Sequence, residues 1–229
     1  MDQPSNSEST SSLPIRIEVR VVIFSLRSNR LQTLLVAAAG DKAGGWSIPG
    51  LPAVPGSSLE KTANRCLAEF TGRRENYLEQ LYTYGDPARG GGACCISVVY
   101  FALVPAGAFS LDAGDRAEAA WHPLDNLPPT VTDHKEILAY ALRRLRYKLE
   151  YSAVGFELLP ENFSLSELQQ TYEIILGETL DKRNFRRRIL QANVIEPTPH
   201  QRSGEGRPAR LYRYRPDAVA EVKVRRLFP

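Results

Sequence analysis

The sequence predicts an α/β (α+β) fold: a mixed sheet flanked by helices, followed by a smaller C-terminal unit of two helices and a hairpin. Three observations predict it. The 229 residues exceed one small domain and suit two. Strand-like runs, clearest in ACCISVVYFALV at 93–104, are interleaved with two helical stretches across the first 150 residues. Beyond residue 160 the order becomes helix, four-residue turn, helix, hairpin.

Each element has a local reason. Ile15–Leu26 mixes alternation with a β-branched run and reads as a strand. Arg27–Arg30 is a turn, and Leu31–Ala39 is the second strand. Asp41–Gly50 is a glycine-rich loop carrying Trp46. Ser57 and Glu60 have capping-box spacing, so a helix follows to about Phe70 and stops at Gly72. Leu78–Tyr84 is a strand, GDPARGGG at 85–92 is a loop, and Ala117–Trp121 is a short strand. Thr132–Glu150 is a long helix with apolar positions at Ile137, Leu138, Ala141, Leu142 and Leu145. Ser164 and Glu167 repeat the capping-box spacing before a helix that ends at Gly177. A further helix spans about Asp181–Ala192. Val194–Pro199 and Arg210–Tyr214 then flank QRSGEGRPA, a hairpin with a glycine-rich tip. That order is a winged helix-turn-helix. The chain divides into a disordered arm at 1–13, a first domain at 14–150 and a second at 151–229.

Composition narrows the function classes. With 43% hydrophobic and 24% charged residues, the chain reads as ordinary globular protein. No apolar run approaches the roughly 20 residues that span a bilayer. MDQPSNSESTSSLP has neither the basic start nor the apolar core of a secretory signal. Three cysteines, two of them adjacent at 94 and 95, form neither a disulfide framework nor a metal spacing, which points to the cytoplasm. His122, His134 and His200 are scattered and suggest no catalytic or zinc arrangement. The net charge of +3 hides an asymmetry: 179–229 holds 13 Lys or Arg against 5 Asp or Glu, a net +8, whereas 1–178 holds 16 against 21, a net −5. Such a split points to a polyanion meeting the C-terminal part.

Two constellations carry chemistry. The first is GLPAVPGSSLEKTANRCLAEFTG at 50–72, preceded by WSIPG at 46–50. It resembles a Nudix box, G-x5-E-x7-R-E-U-x-E-E-x-G-U with U a bulky apolar residue. Anchored on Arg65 and Gly72, the first Gly becomes Leu51 and the first Glu becomes Ser57; Cys66 and Phe70 replace two more carboxylates. Arg65, Leu67 and Glu69 stand in their expected slots, while Arg73 departs from the last. A hydrolase of this family gathers oxygen ligands around Mg²⁺, and one helix carboxylate of three is a poor magnesium site. Arg65 and Glu69, one turn apart, form a structural pair. With GDPAR and SVVYFALV, residues 15–149 resemble the Nudix branch that handles ADP-ribose. Trp46 would stack on a base or ribose, or pack the loop; Arg20 and Arg89 would meet a diphosphate; Glu69 completes the effector set. Arg20 stands where many Nudix domains carry an acid.

The second constellation is DKRNFRRRILQA at 181–192. At about 100° per residue, Phe185 and Ile189 share one face and Arg183 and Arg187 lie opposite, with Asn184 and Arg186 on the flanks. Arg188 falls nearer the core edge. Arg reads guanine and Asn reads adenine, and either holds phosphate. After Asp181 this helix has no acid, unlike a solvated helix that mixes both signs. The predicted DNA-contacting residues are Lys182, Arg183, Asn184, Arg186 and Arg187, with Arg202, Arg207 and Arg210 from the hairpin. LLPENFSLSELQQTYEIILGETLDKRNFRRRIL with GRPARLY closely resembles the DNA-binding half of the Nudix-related transcriptional regulators of NAD metabolism, the NrtR family.

That resemblance implies a cytoplasmic repressor of NAD biosynthesis or salvage genes, bound as a homodimer to a palindromic operator in double-stranded DNA. It implies ADP-ribose, or a related nucleotide, as the effector that weakens DNA binding. The expectation is no enzyme, no required cofactor, no bound metal and no membrane. The helix at 132–150 is the expected mechanical link between effector and DNA. A second reading stays open: an active hydrolase of ADP-ribose or another nucleoside diphosphate, rescued by Glu69, Asp86 or Glu118, with an accessory nucleic-acid-binding domain. A third is a nonspecific nucleic-acid-binding module.

Overall fold

The computed structural model describes residues 15–38, 45–72, 77–85, 95–106, 119–131, 133–202 and 208–218. The first half is a seven-stranded mixed sheet: β1 (Arg16–Arg27), β2 (Arg30–Ala37), β3 (Trp46–Ser47), β4 (Gly50–Pro52), β5 (Tyr77–Tyr84), β6 (Cys95–Leu103) and β7 (Ala119–Pro123). The main path runs β3-β2-β1-β6-β5, with β4 on β1 and β7 on β2. β1 and β6 pair in parallel from Arg16↔Cys95 to Phe24↔Leu103, and the other pairings are antiparallel. Because β1 is central, both its faces are buried: Val19, Val21 and Ile23 on one side, Val22 and Phe24 on the other. This explains the continuous apolar stretch at 21–24 within the first strand.

Helix α1 (Leu59–Thr71) packs Ala63, Cys66 and Leu67 on the first face. Its N-cap is Ser58, whose hydroxyl accepts from the Lys61 amide, and Gly72 closes it at φ 66°. The capping box expected from Ser57 and Glu60 does not form: Ser58 has the extended backbone that aims its hydroxyl at the Lys61 amide, and a lysine at that position returns no bond, so the helix starts on a simple serine cap. Helix α2 (His134–Tyr151) covers the opposite face through Ile137, Leu138, Ala141, Leu145 and Leu149. The glycine-rich loop expected over 41–50 ends in two short strands, β3 and β4, because Trp46 pairs with Ala37 and Gly50 with Arg20.

A 3-10 helix, Ala153–Leu158, leads into the second half. Strand β8 (Phe163–Ser164) precedes helix α3 (Leu165–Leu176), and the reciprocal Ser164–Glu167 capping box is present. Gly177 ends α3 at φ 78°, in the left-handed region that favours glycine. Helix α4 (Lys182–Gln191) follows, capped by the Asp181 carboxylate accepting from the Asn184 amide. Strands β9 (Ile195–Arg202) and β10 (Ala209–Tyr214) form the hairpin, and β8 joins them in a β8-β10-β9 sheet. The two-residue strand β8 has no counterpart in the sequence reading, since so short a segment carries no alternation. No described helix is long and apolar enough to cross a membrane.

Candidate effector pocket and nucleic-acid interface

Arg20 leaves β1 pointing at the segment after Trp46. Its Nη1 donates to the Ser47 hydroxyl at 3.0 Å and the Ile48 carbonyl at 2.8 Å, and its Nη2 pairs with Glu18 at 2.6 Å. Gly50 lets it pass: a Cβ there would stand 2.9 Å from Arg20 Cγ and 3.0 Å from the Val19 carbonyl. Trp46 is half-buried, edge-on to His122 with ring centroids 4.4 Å apart. Its backbone is tied to Pro129 and Val131. Arg20 and Trp46 therefore address neighbouring parts of one chain segment. Trp46 packs against His122 and the main core and keeps part of its surface accessible, so both sequence options for it retain a physical basis.

Glu69 is exposed on α1 and faces Arg65 at 3.9 Å, the predicted one-turn pair. Cys66 is fully buried, and burial, then the Glu69 carboxylate, push its thiol up to about 12 against the pull of Arg20 and Arg65. It is a small core residue, not a nucleophile. Phe70 packs against the α1 side of the sheet. Among the described residues no three His, Cys, Asp or Glu side chains converge as metal ligands. Of the residues in the Nudix carboxylate slots, Ser57, Cys66, Glu69 and Phe70, Glu69 alone carries a carboxylate. Arg89, Asp86 and Glu118 lie outside the described residues.

The helix-turn-helix has the geometry drawn from the wheel. Phe185 and Ile189 are buried at 2% and 0% exposure, and Lys182, Arg183, Asn184 and Arg187 are exposed. Arg187 donates to the Asn184 side chain at 2.7 Å, which orders the two together. Arg186 is half-buried and reaches back to the Ser166 hydroxyl at 3.2 Å, bracing α4 against α3. Arg202 folds onto Glu167 and the Asn162 carbonyl, fastening the hairpin to the start of α3. Arg210 is exposed and lies 6.0 Å from the Tyr212 ring centroid. Arg207 lies outside the described residues.

Two cavities, about 330 and 410 Å³, flank the Ser28–Asn29 turn between the sheet and α3. Neither is lined by Arg20, Trp46 or Glu69. Sequence reasoning missed two polar residues near these regions. His134 is 2% exposed, and its Nδ1 accepts from the Ile48 amide at 3.1 Å. Arg146 donates from Nε to the Ile175 carbonyl at 2.7 Å. For His134 nothing local signals the role. Arg146 sits one turn after Leu142, on the flank of an apolar stripe, a position that marks an arginine with a partner beyond solvent.

The fold and this site define a class: a Nudix domain joined to a C-terminal winged helix. The NUDIX domain family matches residues 16–143, and the NrtR DNA-binding winged helix domain matches residues 155–214. A curated protein of Acinetobacter baylyi, described as an ADPR responsive transcriptional repressor, is 34% identical over 201 residues, covering 86% of this chain and 80% of its own. The crystal structure of Shewanella oneidensis NrtR complexed with a 27mer DNA is similar at a TM-score of 0.82 and 33% identity, over 93% of this chain and 99% of that one. The NUDIX domain of the same Shewanella oneidensis protein, complexed with ADP ribose, matches at a TM-score of 0.51 and 29% identity, over 61% of this chain and 94% of that one. The chain belongs to the NrtR family of Nudix-related regulators.

Proposed function

We propose that this chain is a DNA-binding transcriptional regulator, a repressor of NAD biosynthesis or salvage genes, whose Nudix domain senses ADP-ribose. The observation that carries the reading is α4: its apolar face is locked in the core, and its opposite face presents Lys182, Arg183, Asn184 and Arg187 without an acid. The near full-length similarity to a DNA-bound NrtR structure, and to a repressor named for its response to ADP-ribose, supports it.

Arg183, Asn184 and Arg187 meet base edges, Lys182 and Arg210 meet phosphates, and the hairpin residues Arg202 and Arg207 follow the backbone. Arg186 contributes through its brace to Ser166 as well as its charge. A winged helix reads one half-site, so a homodimer on a palindromic operator follows, in the cytoplasm where the chromosome lies. In the Nudix domain Trp46 offers a stacking ring and Arg20 with Arg89 offers cations for a diphosphate. Glu69 accepts hydroxyl hydrogens of a ribose. The chain is not an enzyme on this reading: Cys66 and Phe70 put thiol and ring where a hydrolase needs carboxylates. ADP-ribose is an effector here and no cofactor is required.

The test is a titration of the full chain against a duplex from its own upstream region, repeated with ADP-ribose, NAD and ATP. A saturable complex weakened by ADP-ribose is expected, with affinity falling steeply with salt at a log–log slope of about −0.9 per phosphate neutralised. Sustained Mg²⁺- or Mn²⁺-driven cleavage of ADP-ribose, lost in Glu69→Gln, together with indifference to every duplex, would establish the hydrolase instead.

A further inference from the structure

Four side-chain hydrogen bonds, joined by the α2 rod and the last turn of α3, lie between the candidate effector segment and the residue before the N-cap of α4. Arg20 holds the Ile48 carbonyl at 2.8 Å, and the Ile48 amide donates to His134 Nδ1 at 3.1 Å. His134 is the first residue of α2, so the helix begins on the very segment that Arg20 and Trp46 share. From there α2 is a stiff rod, seated on the sheet by Ile137, Leu138, Ala141, Leu145 and Leu149. Twelve residues on, about 18 Å along the axis, Arg146 crosses to the second domain.

Three cations leave this part of α2. Arg144 and Lys148 reach Glu79 at 3.7 and 2.5 Å, within the sheet domain. Arg146 instead donates to the Ile175 carbonyl at 2.7 Å, in the last turn of α3. That carbonyl sits beside the turn of the helix-turn-helix. Gly177 is adjacent, and a Cβ there would lie 3.3 Å from Arg146 Nη2. Glu173 in the same last turn accepts from the Leu180 amide at 2.9 Å and from Gln169 at 2.9 Å. Leu180 precedes Asp181, the N-cap of α4. The Arg146 contact also borders the cavity of about 410 Å³, together with Glu173 and Gly177. Free volume on one side leaves the end of α3 room to shift, which a close-packed interface would forbid.

We infer that Arg146 is the positioning residue that couples the effector pocket to the recognition helix: α2, tied at His134 to the Ile48 segment, moves the helix-turn-helix turn through the Arg146–Ile175 bond. The inference rests on the proposed function and names the atoms of its regulation. An arginine that merely satisfies a helix-end carbonyl would change stability and leave the coupling alone.

The experiment measures operator affinity of the full chain by anisotropy, using a duplex selected by the wild type from a randomised library, with and without saturating ADP-ribose. The variants are Arg146→Met and Arg146→Lys. Allosteric couplings of ordinary size change affinity about 5- to 150-fold. The wild-type ratio is expected in that range and the Arg146→Met ratio at about 1–2, with ADP-ribose affinity by calorimetry and effector-free operator affinity within about threefold of wild type. Lysine keeps the charge without the fork, and Arg146→Lys is expected to fall between. Hydrogen exchange at the Leu180 amide should respond to ADP-ribose in the wild type and not in Arg146→Met. Should Arg146→Met fail to fold, Arg146→Lys decides: a full wild-type ratio with an unchanged exchange response overturns the coupling role. A wild-type ratio above 1 that Arg146→Met retains overturns the tie alone. A wild-type ratio of 1 overturns the effector reading and the tie with it.

Discussion

Arg187 and Asn184 stand one helical turn apart on the exposed face of α4 and are bonded to each other at 2.7 Å, so replacing one loosens the other. Arg187→Ala is expected to lose about 1–3 kcal/mol of discrimination between operator and scrambled duplex. Competition binding at fixed salt measures it; an equal loss on both duplexes would assign Arg187 to phosphate. Glu79 offers a residue-scale prediction of another kind. Burial raises its carboxyl, but hydrogen bonds from Lys148 and Tyr77 outweigh that, and the carboxyl lies below its ordinary 4.5. A depressed carboxyl contributes stability that is present above 4.5 and lost as pH falls through the folded value. Glu79→Gln should therefore melt below wild type at pH 7, by an amount in the range of partly exposed ion pairs, roughly 0.2–1 kcal/mol. The gap should narrow steadily below pH 4.5. Melting curves at pH 7, 5 and 3.5 check the sign; a gap that widens in acid would contradict it.

Among the elements, α3 is the one whose boundaries the sequence states most plainly. The Ser164 hydroxyl accepts from the Glu167 amide at 3.2 Å and the Glu167 carboxylate accepts from the Ser164 amide at 2.7 Å, while Gly177 takes the left-handed closing turn. Ser164→Ala is expected to cost about 0.5–2 kcal/mol, read as a lower urea midpoint with unchanged slope. A loss near zero would mean that Arg202, bonded to the same Glu167, carries the helix start alone. In α1 the same spacing misled by one residue. Ser57 and Ser58 are consecutive, and spacing alone does not say which one caps; Ser58 does, with its hydroxyl accepting from the Lys61 amide. The 3-10 helix before α3 was invisible for a related reason. Gly155 is buried there because Leu149 and Tyr172 leave a Cβ at 2.9 Å from each, a constraint imposed by distant packing.

Across the whole molecule, one core cluster joins the two halves. It runs from Val22 and Phe101 in the sheet through Leu145 and Leu149 of α2 to Phe163, Tyr172, Phe185 and Ile189 of the winged helix. Continuity of apolar packing makes the halves cooperate in unfolding. Thermal melts followed by tryptophan fluorescence, which reports Trp46 and Trp121 in the sheet half, and by far-ultraviolet circular dichroism, which reports both halves, should coincide. Two separated midpoints would show that the cavities beside the Ser28–Asn29 turn outweigh the shared core.

The exposed basic face of α4 was legible because a ten-residue amphipathic helix declares its inward face, and the outward one follows by geometry. The Nudix helix was legible from its spacing, and its missing carboxylates from identity alone. What the chain order could not state is which distant groups meet. Arg20 on the Ile48 carbonyl, His134 under the Ile48 amide and Arg146 on the last turn of α3 join residues 28, 86 and 29 positions apart. Local pattern reports how a segment presents its faces to water, and that was enough for the fold class and the exposed basic face of α4. Side-chain partners across such separations depend on strand register and helix seating, so the connection between pocket and recognition helix exists only once the sheet and the shared core have formed.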